Sequence, residues 1–119
     1  MAGDPDLRNR TMELALRVIR LVETLPSSET GRVMSRQLLR CGTSVGANYR
    51  AAKRAKSRAD MINKLKIVEE EADETLYWIE LLIKGNIISA NKLEPLHQEV
   101  EEILAMTVSS IKTLRSNPG

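Results

Sequence analysis

Four groups of residues have types and spacings that carry chemistry. Glu94 and His97, three residues apart, match a ligand pair of di-iron carboxylate bundles. Such a site needs a second pair and a carboxylate from each remaining helix, and His97 is the only histidine. It is therefore expected on a helix flank. The run Glu69, Glu70, Glu71, Asp73 and Glu74 offers carboxylates for acid/base work. A continuous run points all round a helix, however, so solvated surface or partnership with nearby arginines is expected. Cys41 falls among apolar residues with no histidine close in sequence to act as its base, which suits a small core residue better than a nucleophile.

The fourth group is Gly42, Thr43, Ser44 and Gly46, which has the look of a phosphate-cradling loop. A P-loop requires Gly, four residues, then Gly-Lys-Ser/Thr, whereas Gly46 is followed by Ala47 and Asn48. No nucleophile–base pair, metal set or small-molecule motif can be assembled. The expectation is a non-enzymatic chain with no cofactor and no metal.

The arginines carry more. A helix through Gly42–Asn48 keeps Met34, Leu38, Cys41, Val45, Asn48, Tyr49 and Ala52 within an arc of roughly 100°. A loop would lose that phase. Gly42 and Gly46, four apart, would then let another helix approach closely, and Asn48 would find hydrogen-bond partners on the third helix. Arg32, Arg36, Arg40, Arg50 and Arg54 occupy an arc of about 80° nearly opposite. Lys53 lies off its edge, and Arg58 joins if the helix persists that far. A solvated helix usually mixes signs and gains from i,i+4 pairs, which this face forgoes. Two readings follow: phosphate recognition by planar guanidinium forks, or pairing with acids of a neighbouring helix or subunit. No aromatic is interleaved, so nucleic acid would be held by its phosphates, with weak sequence preference and steep salt dependence.

The charge balance agrees. Residues 1–31 hold four bases and five acids, residues 32–66 ten bases and one acid, and residues 67–119 four bases and ten acids. The net charge of +2 thus hides a cationic middle and an anionic C-terminal part.

Four elements must position these residues. With no Phe, one Trp and two Tyr, the composition favours helices over strands. The 3.6-residue period predicts helices over about 5–25, 31–56, 59–84 and 91–115. Their stripes are Leu7, Leu14, Val18, Leu21, Val22 and Leu25 in the first; Met61, Leu65, Val68, Ala72, Leu76, Ile79 and Ile83 in the third; and Leu93, Leu96, Val100, Ile103, Leu104, Thr107, Ile111 and Leu114 in the fourth. Asp4 and Asn91 are the expected N-caps of the first and last, and Gly85 follows the third. The fold class is all-α: an antiparallel, up-down-up-down four-helix bundle forming a single domain, 1–119.

Met12, Leu16 and Ile19 on the first helix, and Ile67, Trp78 and Leu81 on the third, lie away from the core stripes. They read either as a subunit interface with a Trp anchor or as scattered surface residues. No apolar run approaches the roughly 20 residues needed to span a bilayer. The acidic, polar N-terminus is unlike a secretory signal, and a single cysteine fits a reducing compartment, so a cytoplasmic location is expected.

The stretch from Arg36 to Ile88 resembles the four-helix-bundle family of proteins encoded in 23S rRNA intervening sequences. The likeness covers most of the chain. It centres on Gln37, Leu38, Arg40, Ser44, Val45 and Asn48, continues through Glu74-Thr75-Leu76 and ends at Gly85-Asn86-Ile87-Ile88. The family often has an acid and a glycine shortly after that Asn; this chain has Arg50-Ala51-Ala52-Lys53, which favours anion binding. The resemblance implies a four-helix bundle able to form a pentameric homo-oligomer, no enzymatic activity, and a role with RNA. It also implies a fold similar to the accessory proteins of diversity-generating retroelements, which are linked to nucleic acid and a reverse transcriptase. The combined expectation is an oligomer binding nucleic acid, RNA foremost, through the second helix; the rival is a scaffold for an acidic protein partner.

Overall fold

The structure, a computed structural model, describes residues 5–117, with side chains from Leu7 onward. Among them run α1 (Pro5–Val22), α2 (Glu29–Lys53), α3 (Arg58–Lys84) and α4 (Ala90–Ser116), with no strand. Each helix packs on the next in the chain, and α1 meets α4 along a narrower seam. The result is an up-down-up-down bundle about 51 Å long.

The predicted stripes form its interior. Leu7, Leu14, Val18, Leu38, Val45, Val68, Ile79, Val100 and Ile103 are fully buried, while Leu21, Val22, Leu25, Met61, Ile83, Leu104 and Leu114 pack against the core at its margins. Leu82, Thr11 and Thr75 join the interior without having been part of a predicted stripe. The threonines fit because each hydroxyl donates to the preceding turn, Thr11 to the Arg8 carbonyl and Thr75 to the Glu71 carbonyl. At roughly 1.5–3 kcal/mol per buried aliphatic side chain, this interior outweighs surface ion pairs worth about 0–1 kcal/mol each.

Helix ends depart from the sequence expectation for identifiable reasons. The first helix stops at Val22, not Leu25, because Leu25 precedes Pro26 and is pushed out of the helical region. Tight turns close it, Thr24 and Leu25 amides donating to Leu21 and Val22 carbonyls. Ser28 then caps α2, its hydroxyl accepting from the Gly31 amide at 3.0 Å, so α2 starts two residues early. It ends at Lys53, not at 56, since a stronger start follows. Ser57 accepts from the Asp60 amide, and Asp60 reaches back to the Lys56 amide at 3.0 Å, in the manner of a capping box. Arg58 is consequently the first residue of α3 and no part of the α2 face.

At the other end of α3 the left-handed residue is Asn86, with φ 58°, while Gly85 is the C-cap. The Asn86 and Ile87 amides reach the Ile83 and Leu82 carbonyls, a Schellman arrangement. The N-cap of α4 is Ser89 rather than Asn91; the Ser89 hydroxyl donates to Asn91 Oδ1. The expected Asp4 cap lies outside the described residues.

Gly42 and Gly46 face α1. A Cβ on Gly42 would meet Val18 Cγ2 at 2.8 Å, and one on Gly46 would meet Thr11 Oγ1 at 3.1 Å. Close packing of α2 on α1 is what these glycines permit.

Candidate nucleic-acid interface

The helix α2 presents Arg32, Arg36, Arg40, Arg50 and Lys53 to solvent, and its C-cap Arg54 is exposed too. They do not form one free row. Arg32 is tied to the turn before it, with Glu29 at 3.1 Å and the Ser27 carbonyl at 3.4 Å. Arg40 is drawn onto α3, where its guanidinium meets Glu71 at 3.1 Å and donates to Glu74. Glu74 also accepts from Trp78 Nε1 at 3.2 Å, and the Arg40 guanidinium, then the indole, hold its carboxyl below the usual range. Arg58 is half-buried at the start of α3. Arg36, Arg50, Lys53 and Arg54 remain, and none forms an ion pair among the described residues. Arg50 and Lys53 occupy the last turn of α2, where cations also suit the helix dipole.

The glycine segment cannot cradle phosphate. It is helical throughout, so its amides are engaged by the preceding turn. Cys41 is buried; its thiol donates weakly to the Leu38 carbonyl at 3.9 Å, and burial pushes its pKa up. His97 lies on the flank of α4 facing α3, Nε2 2.7 Å from Glu80 and Nδ1 3.5 Å from Glu101; Glu94 is not its partner. Among the described residues, no three His, Cys, Asp or Glu side chains gather as a metal site. Asn48 finds its partners within α2, donating to the Ser44 carbonyl at 2.9 Å and hydroxyl at 2.8 Å, instead of on α3.

The outer apolar residues flank α2 on both sides. Met12 (50% exposed), Leu16 and Ile19 stand out from α1, and Met12 borders Thr43 and Ala47 of α2. Leu81 is exposed, and with Val33, Met34, Trp78 and Ile87 it lines an open apolar cavity of about 450 Å³ between α2 and α3. Ile67 is exposed but outside that cavity. Trp78 is half-buried: it packs on the core and lies edge-on to Tyr77 at 5.1 Å, so it forms a wall and is not a free anchor. Exposed Val33 and Leu39 were missed by the sequence reading because they fall between the core and basic arcs of α2, and exposed Tyr77 because it lies off the α3 stripe.

A further cluster was missed altogether. Arg10 of α1 forks onto Glu99 of α4 at 2.9 and 2.8 Å, reaches Glu102 at 2.8 Å, and touches Met106 Sδ. It clasps the narrowest seam of the bundle, and the hydrogen bonds hold Glu99 below the ordinary carboxylate range. Because Glu99 titrates lower when folded, its contribution is full above the unfolded carboxyl pKa and is lost as pH falls through the folded value. The urea midpoint of the wild type should therefore drop between about pH 5 and pH 3 more than that of Glu99→Gln. Arg10→Ala should cost about 1 kcal/mol at neutral pH, since the pair is only partly screened.

The sequence model of the family described as 23S rRNA-intervening sequence protein matches residues 4–109. The chain belongs to that family. A crystal structure of a protein with unknown function from the S23 ribosomal protein family of Bacteroides thetaiotaomicron is similar along nearly its whole length. The two chains are 43% identical with a TM-score of 0.84, over 89% of this chain and 98% of the other. No curated protein matches. The family assignment agrees with the resemblance centred on Gln37–Asn48, and places the arginines on a shared fold. Among the described residues no helix is long and apolar enough to cross a membrane.

Proposed function

We propose that this member of the family is a non-enzymatic, cytoplasmic, oligomeric bundle that binds nucleic acid, RNA foremost, through the exposed cations of α2. The observation that carries the reading is Arg36, Arg50, Lys53 and Arg54: three exposed cations on α2 and one at its C-cap, none in an ion pair among the described residues. Leaving several like charges together without acids forgoes helix stability, and a polyanion would offset that repulsion. Assembly would multiply one weak face into an avid one, because later contacts become intramolecular. The exposed Leu16, Ile19, Ile67 and Leu81 supply apolar surface for such assembly, and a pentamer is the favoured form on family resemblance.

Binding to RNA and DNA oligonucleotides across a salt titration tests the first part. Micromolar or tighter binding that weakens steeply with salt is expected; no binding at low salt would refute it. Sedimentation velocity tests the second, with a species several times the 13.3 kDa chain mass expected and a monomer at micromolar concentration refuting it.

A second reading, a scaffold for an acidic protein partner, is favoured by the apolar cavity of Val33, Trp78, Leu81 and Ile87 opening beside the basic helix. The same salt titration separates the two, since only the first reading requires RNA to bind.

A further inference from the structure

We propose that one backbone phosphate of the bound strand is seated in a groove between α1 and α2, held by Arg8 and Arg50. The binding surface then crosses from α2 onto α1. The inference rests on the nucleic-acid reading and gives that reading a specific seat. The groove has a volume of about 180 Å³, and Arg8, Thr11, Met12, Thr43, Gly46 and Arg50 are among its lining residues. Two arginines contribute to its walls, one from each helix, and among the described residues no carboxylate does. Both arginines are exposed and neither forms an ion pair among the described residues.

The floor exists because Gly46 has no side chain; a Cβ there would press on Thr11 at 3.1–3.3 Å. The hydroxyls of Thr43 and Thr11 already donate to the Leu39 and Arg8 carbonyls, at 2.6 and 3.2 Å. Recognition of an anion therefore falls to the two guanidinium groups, whose planar forks suit phosphate oxygens. No aromatic lines the groove, so it offers no platform for a base. A backbone phosphate is the part of a strand that fits this chemistry.

Fluorescence anisotropy with labelled single-stranded RNA and DNA of one sequence, near 0.1 M salt, tests it. Arg8→Ala should weaken binding about fivefold and flatten the log–log salt slope by about 0.7, the share of one single-strand phosphate contact. Ala47→Leu fills the groove without changing charge and should weaken binding by a similar factor. Arg20→Ala removes the same charge from α1 outside the groove and should change neither quantity, with circular dichroism verifying that each variant is folded. If the wild type binds but Arg8→Ala matches Arg20→Ala, or Ala47→Leu binds normally, the groove is refuted and the broader reading stands. If the wild type binds neither oligonucleotide, both fall. Equal losses on RNA and DNA support a phosphate seat, whereas a loss on RNA alone would implicate the ribose hydroxyl and overturn it.

Discussion

Gly31→Ala should lower the thermal midpoint by roughly 10 °C, a loss of about 2–3 kcal/mol for a chain of this size. A Cβ on Gly31 would lie 1.9 Å from the Pro26 carbonyl oxygen and 2.9 Å from its carbon. These are backbone atoms of the connection that turns back over the start of α2, so no rotamer change relieves the clash. Either the connection lifts away, or the Ser28 cap on the Gly31 amide is broken. Helix propensity alone predicts the opposite sign, since Ala is better than Gly by about 1 kcal/mol in a helix interior. The sign of the change is therefore informative. Gly42→Ala makes a graded comparison, because its Cβ would meet only side-chain atoms of Val18, at 2.8 to 3.2 Å. Val18 is stiff at χ1, so a net loss of about 1 kcal/mol is expected there. Thermal unfolding followed by circular dichroism gives both. A Gly31→Ala variant as stable as the wild type would mean that Pro26 does not sit against α2.

How much of this was legible in the sequence depends on whether the cause is local. The four helices follow from apolar period, a property of each segment alone. The α2 core residues Met34, Leu38, Cys41, Val45, Tyr49 and Ala52 are buried as a single stripe for that reason. The ends were legible in principle too. Ser57 with Asp60 three residues on is a capping pattern, and Pro26 disfavours a helical conformation at Leu25, whereas the apolar stripe taken alone runs on past both ends. What one sequence does not contain is the axial register between helices. Arg40 belongs to an acid-free stretch, and only the packing of α3 brings Glu71 and Glu74 to it. Arg10 finds Glu99 and Glu102 by the same route, from the far end of the chain. Trp78 shows the related limit: it lies away from the α3 stripe, and the neighbour on α2 turned an expected outer residue into a groove wall. Asn48 went the other way, since Ser44 one turn back satisfies it before α3 can.

The candidate site divides along the same line, which sets the outcome of removing its cations. Arg36→Ala, Arg50→Ala and Arg54→Ala combined should weaken single-stranded RNA binding roughly a hundredfold at about 0.1 M salt and flatten the salt slope by about 2. Each contact with a single strand contributes a slope of about 0.7, so three contacts amount to about two decades between 0.1 M and molar salt. All three side chains are exposed, none is in an ion pair among the described residues, and their removal leaves the core untouched. The folded state should thus survive, with relief of like-charge repulsion offsetting the lost dipole interaction of Arg50. Arg40→Ala should behave differently, because its guanidinium is already occupied by Glu71 and Glu74. Its loss should change RNA affinity little while releasing the Glu74 carboxylate and the Trp78 indole it helps to hold. Anisotropy measured as a function of salt resolves the two cases on one set of samples. A triple variant that binds RNA as the wild type does would shift the function of α2 to the acidic-partner reading. An Arg40→Ala variant that loses as much affinity as the triple would mean that RNA displaces the carboxylates of α3 from that arginine.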